Sequence, residues 1–267
     1  MRYGFVMPFG DAKGAAELAA IAEQSGWDGF FVFEAIWGVD AWVALAAAAM
    51  RTDRIRLGTM LTPLPRRTPW EVASQAASVD QLSDGRVILS VGLGAPDDRW
   101  WIFEDDPGRP VRAERMDESL AMLQLLWGGE SFEYEGRHYR ARRTDVMIPD
   151  PPVQRPRIPI WVVGAWPRPR SMRRAARWDG WLPSYLPPAT ASPEHLAEAV
   201  EWIQAERGSL DAYDVVVEGT TSGPEAAEVV KPWREAGATW WLETDWGFTG
   251  DPMTYARDRL RAGPPGG

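Results

Sequence analysis

The chain has 267 residues, of which 45% are apolar and 25% charged, enough for two average domains or one large α/β barrel with a sizeable core. Its formal net charge of −9 argues against nucleic acid or an anionic membrane surface as a partner. The absence of cysteine excludes disulfides, thiolate catalysis and thiolate metal sites together.

In chain order, YGFVMP is predicted as a short buried strand that turns polar too soon to be a leader, so a cytoplasmic protein is expected. Leu18, Ile21 and Ala22 recur at helical spacing between Asp11 and Gln24, and Gly26 stops that helix. GFFVFE is the second strand, Trp42 to Met50 the second helix and IRLGTML the third strand. Pro69 opens the third helix at a favoured position, with Val72, Ala76 and Val79 on one face. GRVILSVGLG, the fourth strand, is continuous and β-branched enough to be buried on both faces. Four such units in about 90 residues, with no hairpin signal between them, imply parallel strands joined by right-handed crossovers.

The alternation is interrupted between Ala95 and Pro159. Glu114 to Trp127 is predicted as a helix with Met116, Leu120, Leu123 and Trp127 inward, and SFEYEGRHYRA as a hairpin about Glu135 and Gly136. A proline-rich connector follows. IPIWVVG, GWLPS, YDVVVEG and ATWWLE then supply strands five to eight, alternating with helices over SMRRAARW, Pro193 to Arg207, Pro224 to Ala236 and Asp251 to Arg261. Eight units imply an α/β fold of the (β/α)₈ TIM-barrel type, one domain over residues 1–261, with a short helix-plus-hairpin insertion between strands four and five. Residues 262–267 read as a flexible tail. No apolar run approaches the roughly 20 residues that span a bilayer.

In such a barrel the chemistry sits in the loops after the strand C-termini. Glu34 ends an apolar strand at the mouth, either as an acid–base group with a raised pKa or as a buried carboxylate paired with Arg66 or Arg67. Gly92 and Gly94 either let a ring or phosphate approach the backbone or simply form a tight strand exit. GAWPRPRS precedes a helix whose first N–H groups suit a phosphate, with Arg168 and Arg170 as charged partners or as solvated loop residues. Asp97, Asp98, Glu104, Asp105 and Asp106 match no metal spacing and read as a solvated loop. His138 and His195, the only two histidines, lie away from strand C-termini, so neither a histidine triad nor a zinc site is expected. Sixteen tryptophans exceed what one core usually absorbs, so some are expected at a cleft. No P-loop or GxGxxG motif is present, which points to an organic cofactor or modest acid–base work.

The strings GWDGFFVFE, DAWVALAAAAMRTDRIRLGTMLTPLPRR, QLSDGRVILSVGLG, PPVQRPRIPIWVVGA, RRAARWDGW and GATWWLE, in this order, resemble the luciferase-like monooxygenase family of flavin- and deazaflavin-dependent oxidoreductases. The resemblance implies a barrel that binds FMN or coenzyme F420 across the strand C-termini, with a non-proline cis peptide at Met60-Leu61. It places phosphate contacts at Gly92 to Gly94 and at Gly164 and Ala165. Two positions depart from common family patterns. Ala35 stands where many relatives have histidine, and Ala95 where sugar-phosphate dehydrogenases have an acid, so a sugar phosphate is doubtful as substrate. The region between strands four and five is shorter than in luciferase subunits, which argues for a more open site.

The resulting expectation is an oxidoreductase acting on a small organic substrate by hydride transfer or oxygenation. Met60, Leu61, Thr62, Gly92, Leu93, Gly94, Gly164, Ala165 and Arg168 would hold the cofactor, and Glu34 would be catalytic or position the ring. Trp37, Trp100, Trp101, Trp166 and Trp246 would wall the substrate cavity, with core packing as the alternative for each. A cofactor-binding barrel without turnover and a cofactor-free barrel hydrolase or isomerase are the competing readings. A homodimer is expected by resemblance alone, and no metal is expected.

Overall fold

The computed structural model describes residues 1–7, 9–95, 102–145, 148 and 150–265. Its first half runs β1 (Arg2–Met7), α1 (Ala12–Gln24), β2 (Gly29–Val32), α2 (Ala41–Ala49), β3 (Arg56–Thr59), the two-residue β4 (Thr62–Pro63), α3 (Pro69–Leu82), β5 (Val87–Gly92) and α4 (Arg109–Leu126). An antiparallel pair follows, β6 (Tyr134–Glu135) with β7 (Arg140–Ala141). The second half runs β8 (Ile160–Trp166), α5 (Pro169–Ala176), β9 (Gly180–Tyr185), α6 (Pro193–Arg207), β10 (Asp214–Gly219), α7 (Ala226–Glu235), β11 (Trp240–Glu243) and α8 (Pro252–Arg261).

Every barrel pairing is parallel, in the order β3-β2-β1-β11-β10-β9-β8-β5, and a β3–β5 pairing closes the ring. The helices start where polar side chains meet the first open N–H groups. Asp11 accepts from Gly14 N at 2.6 Å, Asp40 from Trp42 N at 2.8 Å and Asp251 from Thr254 N at 2.9 Å. α4 begins at Arg109, five residues before the sequence-based start at Glu114. Gly108, with φ of 86°, turns the chain into a helix whose first turn carries Pro110. Residues 262–265, read from composition as a flexible tail, lie against the barrel. Gly263 O accepts from Arg259 Nη1 at 2.7 Å, and Pro265 is buried.

The core has two layers. Outside the strands, Leu18, Leu45, Val72, Leu123 and Leu196 pack from the helices. Inside the barrel, Phe31, Trp161 and Trp240 form one aromatic block with ring centroids 5.3 to 6.0 Å apart. Glycines make room for it: a Cβ on Gly29 would stand 2.7 Å from the Phe31 ring and 2.9 Å from Trp240. Much of the tryptophan surplus is absorbed by the core, with Trp161, Trp181 and Trp240 fully buried.

The lower rim is held by Arg86, which donates to Ser83 O, Ile55 O, Thr52 O and Ala49 O and to Thr52 Oγ1, all within 2.7 to 3.2 Å. A planar fork with five donors suits this ring of carbonyls, and a lysine ammonium does not. Arg86→Lys is expected to lower the unfolding free energy by about 2–4 kcal/mol, because several buried carbonyls lose their donors. A urea titration reads this as an earlier midpoint at unchanged slope. An unshifted midpoint would show that the fork does not hold the rim.

Candidate active site

The strand C-termini surround a cleft of about 780 Å³. Its floor is apolar: Met60 and Val163 sit on top of the aromatic block, and Leu61 and Leu93 face the cleft beside them. The Met60-Leu61 peptide is cis, as the resemblance implies.

Glu34, just past β2, lines this cleft but is not unpartnered. It forms an ion pair with Arg67 and accepts from Thr62 Oγ1 at 2.6 Å, and only 8% of its surface is exposed. Arg67 in turn donates to Gln75 Oε1 of α3 at 2.6 Å. Burial pushes the Glu34 pKa up, and Arg67 and Thr62 pull it back only in part. Of the two arginines considered as its partner, Arg67 fills the role, and Arg66 reaches Glu104 instead at 3.0 Å. Thr62, expected to touch the cofactor, is wholly buried and spends its hydroxyl on Glu34.

The β5 exit is shaped by absent side chains. A Cβ on Gly92 would meet Leu61 at 2.9 Å and Val163 at 3.2 Å, and Gly94 has φ of 76°, which glycine alone adopts easily. Arg112 of α4, 6% exposed, fixes this exit by donating Nη1 to Gly94 O at 2.7 Å and to Leu93 O at 3.2 Å. Arg109, one helical turn earlier, lines the same flank.

The β8 exit meets the cleft at Ala165 and Ser171. Ala165 lines the cleft, but its N–H already goes to Ser171 Oγ at 2.9 Å. The Arg168 N–H goes to Ala165 O at 2.7 Å, and Pro167 and Pro169 have no N–H to offer, which leaves those of Arg170 and Ser171 in the first turn of α5, where Ser171 lines the cleft. Gly164 is glycine because a Cβ there would press on the Trp181 indole at 2.6 Å, on the side away from the cleft. Arg168 is exposed and does not line the cleft. Among the described residues, the cations that line the cleft are Arg109 and Arg112 of α4, which the sequence reading passed over, and Arg112 is also ion-paired with Asp106 at 3.3 Å.

Among the expected tryptophan walls, Trp246 lines the cleft, packed edge-on against Phe33 with centroids 5.4 Å apart. Trp166 packs instead against Trp202 of α6 at 6.4 Å, and Trp37 is 80% exposed without lining the cleft. Trp100 and Trp101 lie outside the described residues. Neither histidine joins the cleft: His138 pairs with Glu114 at 2.8 Å, and His195 lies near Ser192 at the start of α6.

One further carboxylate was missed. Glu218 of β10 follows Val216 at strand period two, so its side chain rises from the barrel interior into the cleft, where Trp246 Nε1 donates to it at 3.3 Å. Glu218 is exposed at the mouth, and the protein packed around its carboxyl raises its pKa. An acid two residues beyond an inward valine was the available signal. A second groove of about 700 Å³, between the start of α7 and α8, lies outside the barrel and away from the strand C-termini that form the cleft.

The profile of the luciferase-like monooxygenase family matches residues 2–261. The chain belongs to the luciferase-like monooxygenase family. An F420-dependent glucose-6-phosphate dehydrogenase of Beutenbergia cavernae is 37% identical over 172 residues, 61% of this luciferase-like chain and 49% of that protein. The chain spans about half the length of the curated relatives it matches. Among solved structures, a Streptomyces bottropensis monooxygenase aligns with a TM-score of 0.79 at 19% identity, covering 98% of this chain and 97% of that one. An F420-dependent secondary alcohol dehydrogenase, in complex with an F420-acetone adduct, aligns with a TM-score of 0.78 at 17% identity, over 99% and 98%. At such identities the likeness shows the fold that this luciferase-like chain shares.

The raised pKa of Glu218 has a consequence for stability. The folded state holds the proton more tightly than the unfolded chain, so this contribution is complete below the ordinary glutamate pKa and is lost as pH rises through the folded value. Glu218→Gln is therefore expected to melt higher than the parent protein at neutral pH, with the gap closing as pH falls below the ordinary glutamate range. Calorimetric melting across that pH range checks this, and a variant that melts lower at neutral pH would contradict it.

Proposed function

We propose that the chain is a flavin- or deazaflavin-dependent oxidoreductase whose ring-shaped cofactor lies in the cleft and whose substrate is a small organic molecule. The observation that carries this reading is the pairing of an apolar floor, where Gly92 has no room for a Cβ beside Leu61 and Val163, with a cationic flank at Arg109 and Arg112. A flat ring with an anionic tail fits that combination. The activities named for relatives favour coenzyme F420 ahead of FMN. When bound, the cofactor supplies hydride exchange or oxygen activation.

The chain's own groups hold and shield. Leu61, Val163 and Leu93 keep water from the floor, and Arg112 fixes the carbonyls of the glycine-bearing exit. Ser171, held by the Ala165 N–H, keeps its hydroxyl proton to donate into the cleft. Glu34 acts through Arg67 and Thr62 as a positioning residue for the β3 exit. A sugar phosphate suits the cleft poorly, because Ala95 stands at the β5 exit and two carboxylates, Glu34 and Glu218, already face the space. Ala35 and Ala95 favour the competing reading, a cofactor-binding barrel without turnover.

Titrating the protein with coenzyme F420 and with FMN, followed by absorbance, tests the assignment. Saturable binding of one, and its substrate-dependent conversion in the presence of small alcohols, carbonyls and amines, is the expected result. Tight binding without conversion would support the binder instead, and no binding of either would overturn the reading. Arg112→Met is expected to weaken cofactor binding by roughly tenfold or more, and Arg168→Ala by about twofold at most. Equal losses in the two variants would return the anion site to the β8 exit.

A further inference from the structure

We propose that the cleft selects a small organic cation, a substrate bearing a protonated amine, with Glu218 as its anchor and Phe33 and Trp246 as its aromatic walls. The inference rests on the reading of the cleft as the substrate site of an oxidoreductase, and it adds the chemical class of the substrate.

Among the described residues that line the cleft, the α4 arginines and Glu218 stand on different sides, and Arg112 is also paired with Asp106. Arg109 and Arg112 approach from α4 beside β5, whereas Glu218 stands on β10, three strands away around the ring through β8 and β9. An anionic cofactor drawn to the arginine flank leaves the Glu218 flank to the substrate.

The two carboxylates that line the cleft among the described residues, Glu34 and Glu218, are not equivalent. The charge of Glu34 is matched by Arg67. Glu218 has no such partner among the described residues: its side chain accepts from Trp246 Nε1, and burial raises its pKa with no cation pulling it back. A carboxylate exposed at the cleft mouth without a cation of its own gains a close ion pair from a ligand ammonium. A neutral alcohol would not supply one, and an anion would be repelled.

The surroundings suit a cation as well. The Trp246 indole that bonds to Glu218 packs against Phe33 at 5.4 Å, and Phe9, 56% exposed, lines the same cleft. Aromatic faces beside a carboxylate form the usual chemistry of an organic-cation site. The net charge of −9 draws cations toward the protein in general, and the cleft adds the specific contact.

The test compares isosteric probes by titration calorimetry on the whole chain: benzylammonium against benzyl alcohol, and hexylammonium against 1-hexanol. The expected result is that each ammonium binds at least roughly tenfold more tightly than its alcohol, the scale of a close charge pair across an interface. In Glu218→Gln the two members of each pair should fall within about twofold, and Glu218→Asp should retain part of the preference. Far-ultraviolet circular dichroism of both variants confirms that they are folded. Equal affinities in the parent protein, no binding of either ammonium, or an undiminished preference in Glu218→Gln would each overturn the proposal. Titrating the same preparations with F420 and FMN separates the two readings. Loss of cofactor affinity removes the oxidoreductase but leaves the ammonium preference measurable. Cofactor binding without that preference removes only the cation site.

Discussion

The mouth of this barrel depends on one buried charge. Glu34, at the end of β2, meets Thr62 of β4 and Arg67 from the segment before α3, and Arg67 continues to Gln75 within α3. Removing either partner of such a pair leaves an uncompensated charge in a poorly solvated place, a cost of several kcal/mol in comparable sites. The knot therefore fixes where the chain goes after β3. It sets Leu61 and Pro63 against Gly92 and Gly94, and so defines the apolar floor on which any ring would rest.

Beneath that floor the barrel is solid. Phe31, Trp161 and Trp240 fill the interior, with glycines removing the side chains that would collide with them. A packed lower half confines binding to the upper rim, where loops and strand ends differ in chemistry from one side to the other. Arginines of α4 gather near β5, and the exposed carboxylate of Glu218 on β10 stands across the mouth. A polarised cleft of this kind gives an anionic cofactor and a second ligand separate places, which a uniformly charged one would not.

The barrel itself was legible because parallel strands buried on both faces read as continuous apolar runs, and because helix starts carry Asp11 and Asp251. Positions at strand ends were legible only where the local pattern decides them. Glu34 could be placed at the mouth but not assigned to Arg67 over Arg66, since a one-residue difference in a loop reverses direction. The cis Met60-Leu61 peptide followed from resemblance alone. Gly164 was assigned to the site by the resemblance, and Trp166 and Arg168 by proximity to a strand exit, but what they touch is set by Trp181, Trp202 and solvent, partners distant in sequence or absent from it. Arg112 was missed for the converse reason. It lies in a helix reached after a long loop, and only the closed ring brings it to Gly94.

The central claim is that the floor beside Leu61 and Gly92 is a cofactor platform and that the arginine flank receives its anionic tail. A crystal structure of the protein soaked with coenzyme F420, or with FMN if that proves the ligand, tests this most directly. The account predicts the ring over Leu61 and Val163, with phosphate density near Arg109 and Arg112. A ring bound in the groove between α7 and α8, or phosphate held at Arg168 with the α4 arginines untouched, would contradict it.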